Sequence, residues 1–300
     1  LRGPAWLLTA IGLWSVLDAN SKLLAGAYGA GQVLGIRHAV LLLLVLGLRA
    51  LRPGAGGTMT TAHPALHAIR AVAMLGSAAG FFLAMREMSM AEAYLVHFTA
   101  PFMMLGLAAL ALGEPMPARA WGWTAIGFAG VAVAIAPSIG AGGHWQGYAW
   151  AGFGAACYAV IMTVNRRLRE EQGLAAVILW PSLLGLVATL PFAAAEWVAP
   201  TPRDMLLLAL NGVVAGAAML AMSLAFRHAN AARLAPFEYT ALLFALGFDL
   251  ALWGRLPALA TLAGAAIVVA ACIASERARS VARATARQAP PSSKARQLTL

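Results

Sequence analysis

Charge is what this chain of 300 residues has least of. Asp, Glu, Lys and Arg together make up 11% of it, against about a quarter of an ordinary soluble domain. A soluble fold so poor in charge would expose apolar surface over much of its exterior, which favours aggregation. Cysteine is nearly absent as well. Cys157 and Cys272 both sit inside apolar runs, with no CxxC and no Cys/His ligand spacing, so neither a disulfide framework nor a metal site is expected. The chain has no GxxxxGK[ST], no HExxH and no GxSxG, and no nucleophile, base and orienter fall at helical spacing. Neither an enzyme nor a cofactor is expected. The net charge of +10 raises nucleic acid as a partner, but most of the 21 Lys and Arg lie in short loops and tails without a contiguous basic face; no nucleic acid is expected.

What is there is apolar: 61% hydrophobic residues and a mean hydropathy of +0.78. The chain reads as an integral membrane protein whose partners are the lipid bilayer and a small molecule. A spanning helix needs about 20 mostly apolar residues. Ten segments qualify, at 5–25, 32–51, 67–86, 90–112, 120–137, 147–166, 174–194, 205–226, 232–253 and 257–275. The first has no A-x-A cleavage site and runs on into further segments, so it reads as a helix and not as a signal peptide. Position 1 is Leu, so a start trimmed from a longer chain is expected. Polar turns at Arg86-Glu87 and Arg227-His228 read as hairpins, because one continuous helix would leave those groups in hydrocarbon. Residues 276–300 are basic and contain Pro290-Pro291, which predicts a disordered tail.

The basic residues orient the spans. With the N-terminus inside, 16 Lys and Arg fall on the inner side and only Arg86, Arg203 and Arg255 on the outer side. That asymmetry puts both termini in the cytoplasm and favours an even number of spans. The two halves align at an offset near 140, matching Pro117 with Pro257, Gly76 with Gly216 and Ala91 with Ala231. Upstream the offset is 144, matching Trp14 with Tyr158 and Lys22 with Arg166. Five spans per half is an odd number, so the second half enters the membrane upside down. The expected class is all-α: ten transmembrane helices as two inverted five-helix repeats, 1–139 and 140–275, followed by the tail 276–300. Such repeats rock around a midplane site in many secondary transporters.

Ionisable groups inside spans cost about 2.5–3.5 kcal/mol each on insertion scales, so each wants an explanation. Trp14, Asp18 and Lys22 share one face of the first helix. Asp18 pairs either with Lys22 at i,i+4 or, as the preferred partner, with Arg37 on the neighbouring helix; these three residues are candidates for a gate. In the fourth helix Tyr94, His97 and Pro101 share a face, and Pro101 removes one backbone bond. His97 is either a packed histidine or a carboxylate ligand. In the ninth, Glu238 either pairs with Arg233 or Arg227 or serves an inner gate, and Asp249 lies toward the outer end. With Trp14, Tyr94, His97 and Pro101, the residues Tyr158, Trp180, Glu238 and Tyr239 complete the candidate substrate site. Gly76 with Gly80, and Gly212 with Gly216, form GxxxG patterns that read as close packing or as hinges.

At this point the motifs resemble a known family. Trp14 with Lys22, Arg37, Phe98-Thr99-Ala100-Pro101-Phe102 leading to Leu112-Gly113-Glu114, Gly127-Phe128-Ala129-Gly130-Val131 and Ala235-Pro236-Phe237-Glu238-Tyr239-Thr240-Ala241 are similar to the ten-helix, EamA-type branch of the drug/metabolite transporter superfamily. The second half departs from it, with Gly254-Arg255 where a Gly-Glu pair usually sits. Members export amino acids and drugs or take up metabolites such as S-adenosylmethionine and riboflavin. The layout is also similar to YddG-type amino-acid exporters. The resemblance implies a monomeric amino-acid exporter of the bacterial inner membrane, with metabolite uptake as the alternative and a non-transporting membrane scaffold as the alternative of another class.

Overall fold

A computed structural model describes residues 2–54, 57–112, 118–140, 145–168, 174–229, 234 and 237–288. Among these residues there are helices and no strands. The helices are α1 (Arg2–Leu24), α2 (Ala30–Leu51), α3 (Pro64–Glu87), α4 (Met90–His97), α5 (Ala100–Leu112), α6 (Ala118–Gly140), α7 (Trp145–Arg167), α8 (Leu174–Ala195), α9 (Pro202–His228), α10 (Thr240–Trp253) and α11 (Leu259–Gln288). They fall on the apolar runs of the sequence. Seven described segments are long and apolar enough to cross a membrane, with Thr240–Trp253 and Leu259–Ser275 as shorter apolar helices. Arg233, the Gly113–Pro117 motif and everything beyond Gln288 lie outside the described residues.

Two boundaries differ from expectation. α11 continues to Gln288, so the first part of the segment expected to be disordered is helical. Its Ala and Arg content explains this, since both are strong helix formers. The run at 90–112 is two helices with a turn at Phe98-Thr99. Pro101 has no N–H for the carbonyl of His97 four residues earlier. The Thr99 hydroxyl instead bonds back to the Val96 carbonyl at 2.7 Å, and α5 restarts with Pro in its first turn, where the missing donor costs nothing.

Packing follows a pattern. α1 lies against α9, α3 against α7, α2 against α8, α6 against α11 and α4 against α10, with α2 also on α9 and α3 on α8. Exchange the first-half helices for their counterparts five spans later and this set maps onto itself. Small residues allow the closest approaches. A Cβ added at Gly80 would lie 2.7 Å from the Trp150 carbonyl oxygen and 2.9 Å from the Gly154 nitrogen. At Gly76 it would meet Cys157, and at Gly212 it would meet Val40 and the Arg37 carbonyl. Gly80 and Gly212 therefore sit against a neighbouring helix's backbone, and Gly76 against the Cys157 and Phe153 side chains.

The bundle has two distinguishable ends. At one, Gly3 meets Ala229, and the Trp180 indole donates to the Met59 carbonyl at 3.0 Å. At the other, Gln32 exchanges two hydrogen bonds with Val198 (2.7 and 3.1 Å), and Tyr28 donates to Asp204 at 2.8 Å. Burial and the Asp204 carboxylate together raise the Tyr28 phenol above its ordinary value. It stays a donor at neutral pH.

Candidate substrate pathway

Between these ends the interrupted helices meet. Tyr239 is a turn residue immediately before α10, just as Phe98-Thr99 separates α4 from α5. The rings of Phe98 and Tyr239 lie 5.7 Å apart, centroid to centroid. Both breaks adjoin an Ala-Pro-Phe sequence, Ala100-Pro101-Phe102 and Ala235-Pro236-Phe237. Interrupted spans are tolerated in a membrane only where the freed backbone is buried in protein or faces a polar cavity.

An aromatic cluster surrounds the breaks. Phe81 of α3 sets its edge against Tyr94 (5.2 Å) and His97 (5.4 Å), and His97 lies 4.8 Å from Tyr158 of α7. The Tyr94 hydroxyl donates to the Asp18 carboxylate at 2.6 Å, with the Ser15 hydroxyl 3.4 Å away. The His97 Nδ1 is buried without a hydrogen-bond partner among the described residues, which leaves it available to a ligand. Glu238 is exposed and acts electrostatically on Tyr158. The carboxylates of this region, Asp18 and Glu238, stand among rings, an arrangement that suits a cation.

Two of the expected substrate contacts lie elsewhere. Trp14 packs with Leu17, Leu41, Val214 and Ala215 between α1, α2 and α9. Trp180 spends its indole N–H on the α2–α3 connection near one end, so it is an anchor and not a wall of the centre.

The ion pairing also differs. Arg37 makes no direct ion pair with Asp18 among the described residues, although the two charges act on each other. It is buried and donates to the Asn211 carbonyl oxygen at 2.5 Å and to the Ser21 hydroxyl at 3.0 Å, and Asn211 donates to Ser21 at 2.9 Å. This network ties α1, α2 and α9 together, with neutral dipoles in direct contact and the Asp18 charge acting from further away. Among the described residues Lys22 has no ion pair within α1. It reaches Asp249 of α10 at 3.3 Å, the Met88 carbonyl at 3.0 Å, and the face of Trp253 at 4.6 Å from the ring centroid.

Asp249 is the residue whose role the sequence analysis missed. It is buried and accepts the backbone N–H groups of Met90 (3.0 Å) and Ala91 (2.8 Å) as well as Lys22. The start of α4 is thus capped twice: from outside by Asp249, and locally by the Ser89–Glu92 capping box. The positive end of the α4 dipole also faces the Asp249 carboxylate. Lys22, Asp249, Met88 and Trp253 together close the bundle at this end, joining α1, the α3–α4 hairpin and α10.

Comparison with known proteins names the architecture. Residues 145–275 match the EamA-like transporter family. The chain carries an EamA-family domain. It is similar to the S-adenosylmethionine uptake transporter of Rickettsia felis, 22% identical over 277 residues, covering 91% of this chain and 92% of that one. It is also similar to the pseudopaline exporter CntI of Pseudomonas aeruginosa, 24% identical over 266 residues, covering 88% and 92%. A solved crystal structure superposes with a TM-score of 0.62 at 20% identity, covering 93% of this chain and 98% of its own, and so shares the fold. The match over 145–275 and the seven described segments apolar enough to cross a bilayer together support a multi-pass membrane protein.

Proposed function

We propose that the chain is a secondary transporter for solutes with an amino-acid head, moved through the centre of the bundle by alternating access. Two inverted five-helix copies, 1–139 and 140–275, rock about the point where the interrupted spans meet. The observation that carries this reading is the contact of those two breaks inside a ring-lined cluster with Asp18 at its edge. Asp18 and Glu238 receive the solute's positive centre, His97 its carboxylate, and Tyr94, Tyr158 and Tyr239 its side chain. The Lys22–Asp249 closure is the outer gate. The basic-residue asymmetry supports a bacterial inner-membrane location with both termini in the cytoplasm, and the chain acts as a monomer.

Amino-acid export is the first reading, from the motif resemblance. Uptake of S-adenosylmethionine is the second. It is favoured by aromatic rings around a carboxylate, which suit a sulfonium as well as an ammonium, and by the relatives named for that activity. Reconstituted vesicles decide between them. Labelled amino acids and labelled S-adenosylmethionine are offered on either side, with and without a pH gradient. Flux above that of empty vesicles is expected for one class, and Asp18→Asn is expected to reduce it at least about tenfold, as for loss of a buried charge-assisted contact. Flux no faster than in empty vesicles for every solute sinks the reading.

A further inference from the structure

The closed end carries a cleft that the central pathway does not account for. Its volume is about 390 Å³, and it is lined by Lys22, Arg86 and Arg255 together with Trp253, Met88 and Gly26. The three cations come from α1, α3 and the α10–α11 connection, and no acidic side chain lines the cleft. Two nearby carboxylates, Glu92 and Asp249, line an adjoining cleft of about 290 Å³ that shares Arg255. Both are already committed: Asp249 to Lys22 and the α4 amides, Glu92 to Ser89 and the Tyr148 hydroxyl.

The arginines are less committed. Arg86 gives its Nε to the Ala25 carbonyl at 2.7 Å and lies over Phe82, which leaves most of its five donors unused among the described residues. The Arg255 side chain has no hydrogen bond among the described residues, and its charge acts on Lys22. Of the three basic residues expected on this side of the membrane, two therefore converge on one cleft beside the partly buried Lys22. Like charges gathered around a concave, partly apolar wall repel one another unless an anion is shared, and they focus a positive potential into the cleft.

We propose that this cleft is an anion-binding vestibule that takes the carboxylate of a passing solute, and that the carboxylate competes with Asp249 for Lys22 and so loosens the closure. Arginine suits the task because its planar fork grips a carboxylate through two parallel hydrogen bonds. The proposal rests on the transport reading, and it adds a docking point outside the central site.

Gly26 gives a way to test the cleft apart from transport. A Cβ at Gly26 would meet no atom within 4 Å, so Gly26→Cys fits without displacing anything. In a background with Cys157→Ala and Cys272→Ala, in phosphatidylcholine nanodiscs, its modification by an anionic thiol reagent is compared with that by a cationic one. The anionic reagent is expected to react about tenfold faster, a steering effect of this order. Arg86→Gln with Arg255→Gln is expected to abolish that preference. L-Methionine should slow the anionic reagent, and L-methioninamide, which lacks the carboxylate, should not. Equal rates for the two reagents, or equal protection by acid and amide, overturn the assignment. Loss of the preference in phosphatidylglycerol discs gives the cleft to a lipid phosphate and overturns it too. Should every solute fail in the flux assay while the preference and the acid-specific protection persist, the transport reading falls and the anion site stands.

Discussion

Asp249 takes three donors at once: the Lys22 ammonium and the amides of Met90 and Ala91. Lys22 has one carboxylate, one carbonyl and the face of Trp253. The two partners are therefore unequally dependent on each other. Asp249→Asn leaves a nearly buried ammonium without a counter-charge, a loss of about 3–5 kcal/mol in comparable buried pairs. Lys22→Met leaves Asp249 still held by two amides at a helix N-terminus, so it should cost less, about 1–2 kcal/mol by the worth of such charge-assisted bonds. Thermal unfolding in detergent checks the order, and a Lys22→Met variant that proves the less stable of the two contradicts this account. The pair joins residues 227 positions apart. Hydropathy and helical spacing place Lys22 and Asp249 at the right depth, but depth says nothing about which way a helix faces. Asp18 and Arg37 were also placed at plausible depths. Arg37 met Asn211 and Ser21 because α9 packs against both α1 and α2, a neighbourhood that chain order does not reveal.

Helices were the most legible elements, because each must satisfy its backbone within hydrocarbon and so writes a long apolar run into the sequence. The start of α4 carries a local signal that the sequence analysis passed over, Ser89 and Glu92 at capping-box spacing. The break at Phe98-Thr99 was foreshadowed by Pro101, whereas Trp180 was misplaced because a tryptophan six residues into α8 reads the same whether it faces the centre or a loop. Helix contacts are set by glycine. At Gly80 the neighbours of an added Cβ are backbone atoms of Trp150 and Gly154, which cannot rotate away as a side chain can. Gly80→Ala must therefore push α3 from α7, at about 1–3 kcal/mol for overpacking. The same substitution at Gly122 or Gly152, where an added Cβ meets nothing within 4 Å, should leave stability unchanged or slightly raised. Parallel melting curves of the three variants test this. Equal losses at all three would mean that helix propensity, and not the α3–α7 contact, governs the effect.

Among the described residues the helix contacts agree with the proposed exchange of halves, and that proposal has a consequence for orientation. α1 pairs with α9 as α7 pairs with α3, while α2–α8, α6–α11 and α4–α10 are pairs that map onto themselves. For such an exchange to be a rotation, its axis must pass between the members of each self-paired set. Contacts between the ends then fix its direction. Gly31 at the start of α2 meets Phe192 near the end of α8, and Gly35 meets Thr189 one turn further along each. α2 and α8 therefore run antiparallel, and a two-fold that swaps antiparallel helices turns each end-for-end, so its axis lies across the helices and in the plane of a membrane around them. An axis in that plane exchanges the two faces of the bilayer, which is the inverted arrangement that a five-span copy requires. A reporter placed between α6 and α7, at residue 140, is then expected outside the cytoplasm. A reporter at the C-terminus is expected inside, on the side that the basic residues favour. An alkaline-phosphatase fusion at 140 should be active and a fluorescent-protein fusion after residue 300 should glow. A cytosolic reporter at 140 would place the two copies the same way up, and a carrier that rocks between inverted halves would then have no structural basis.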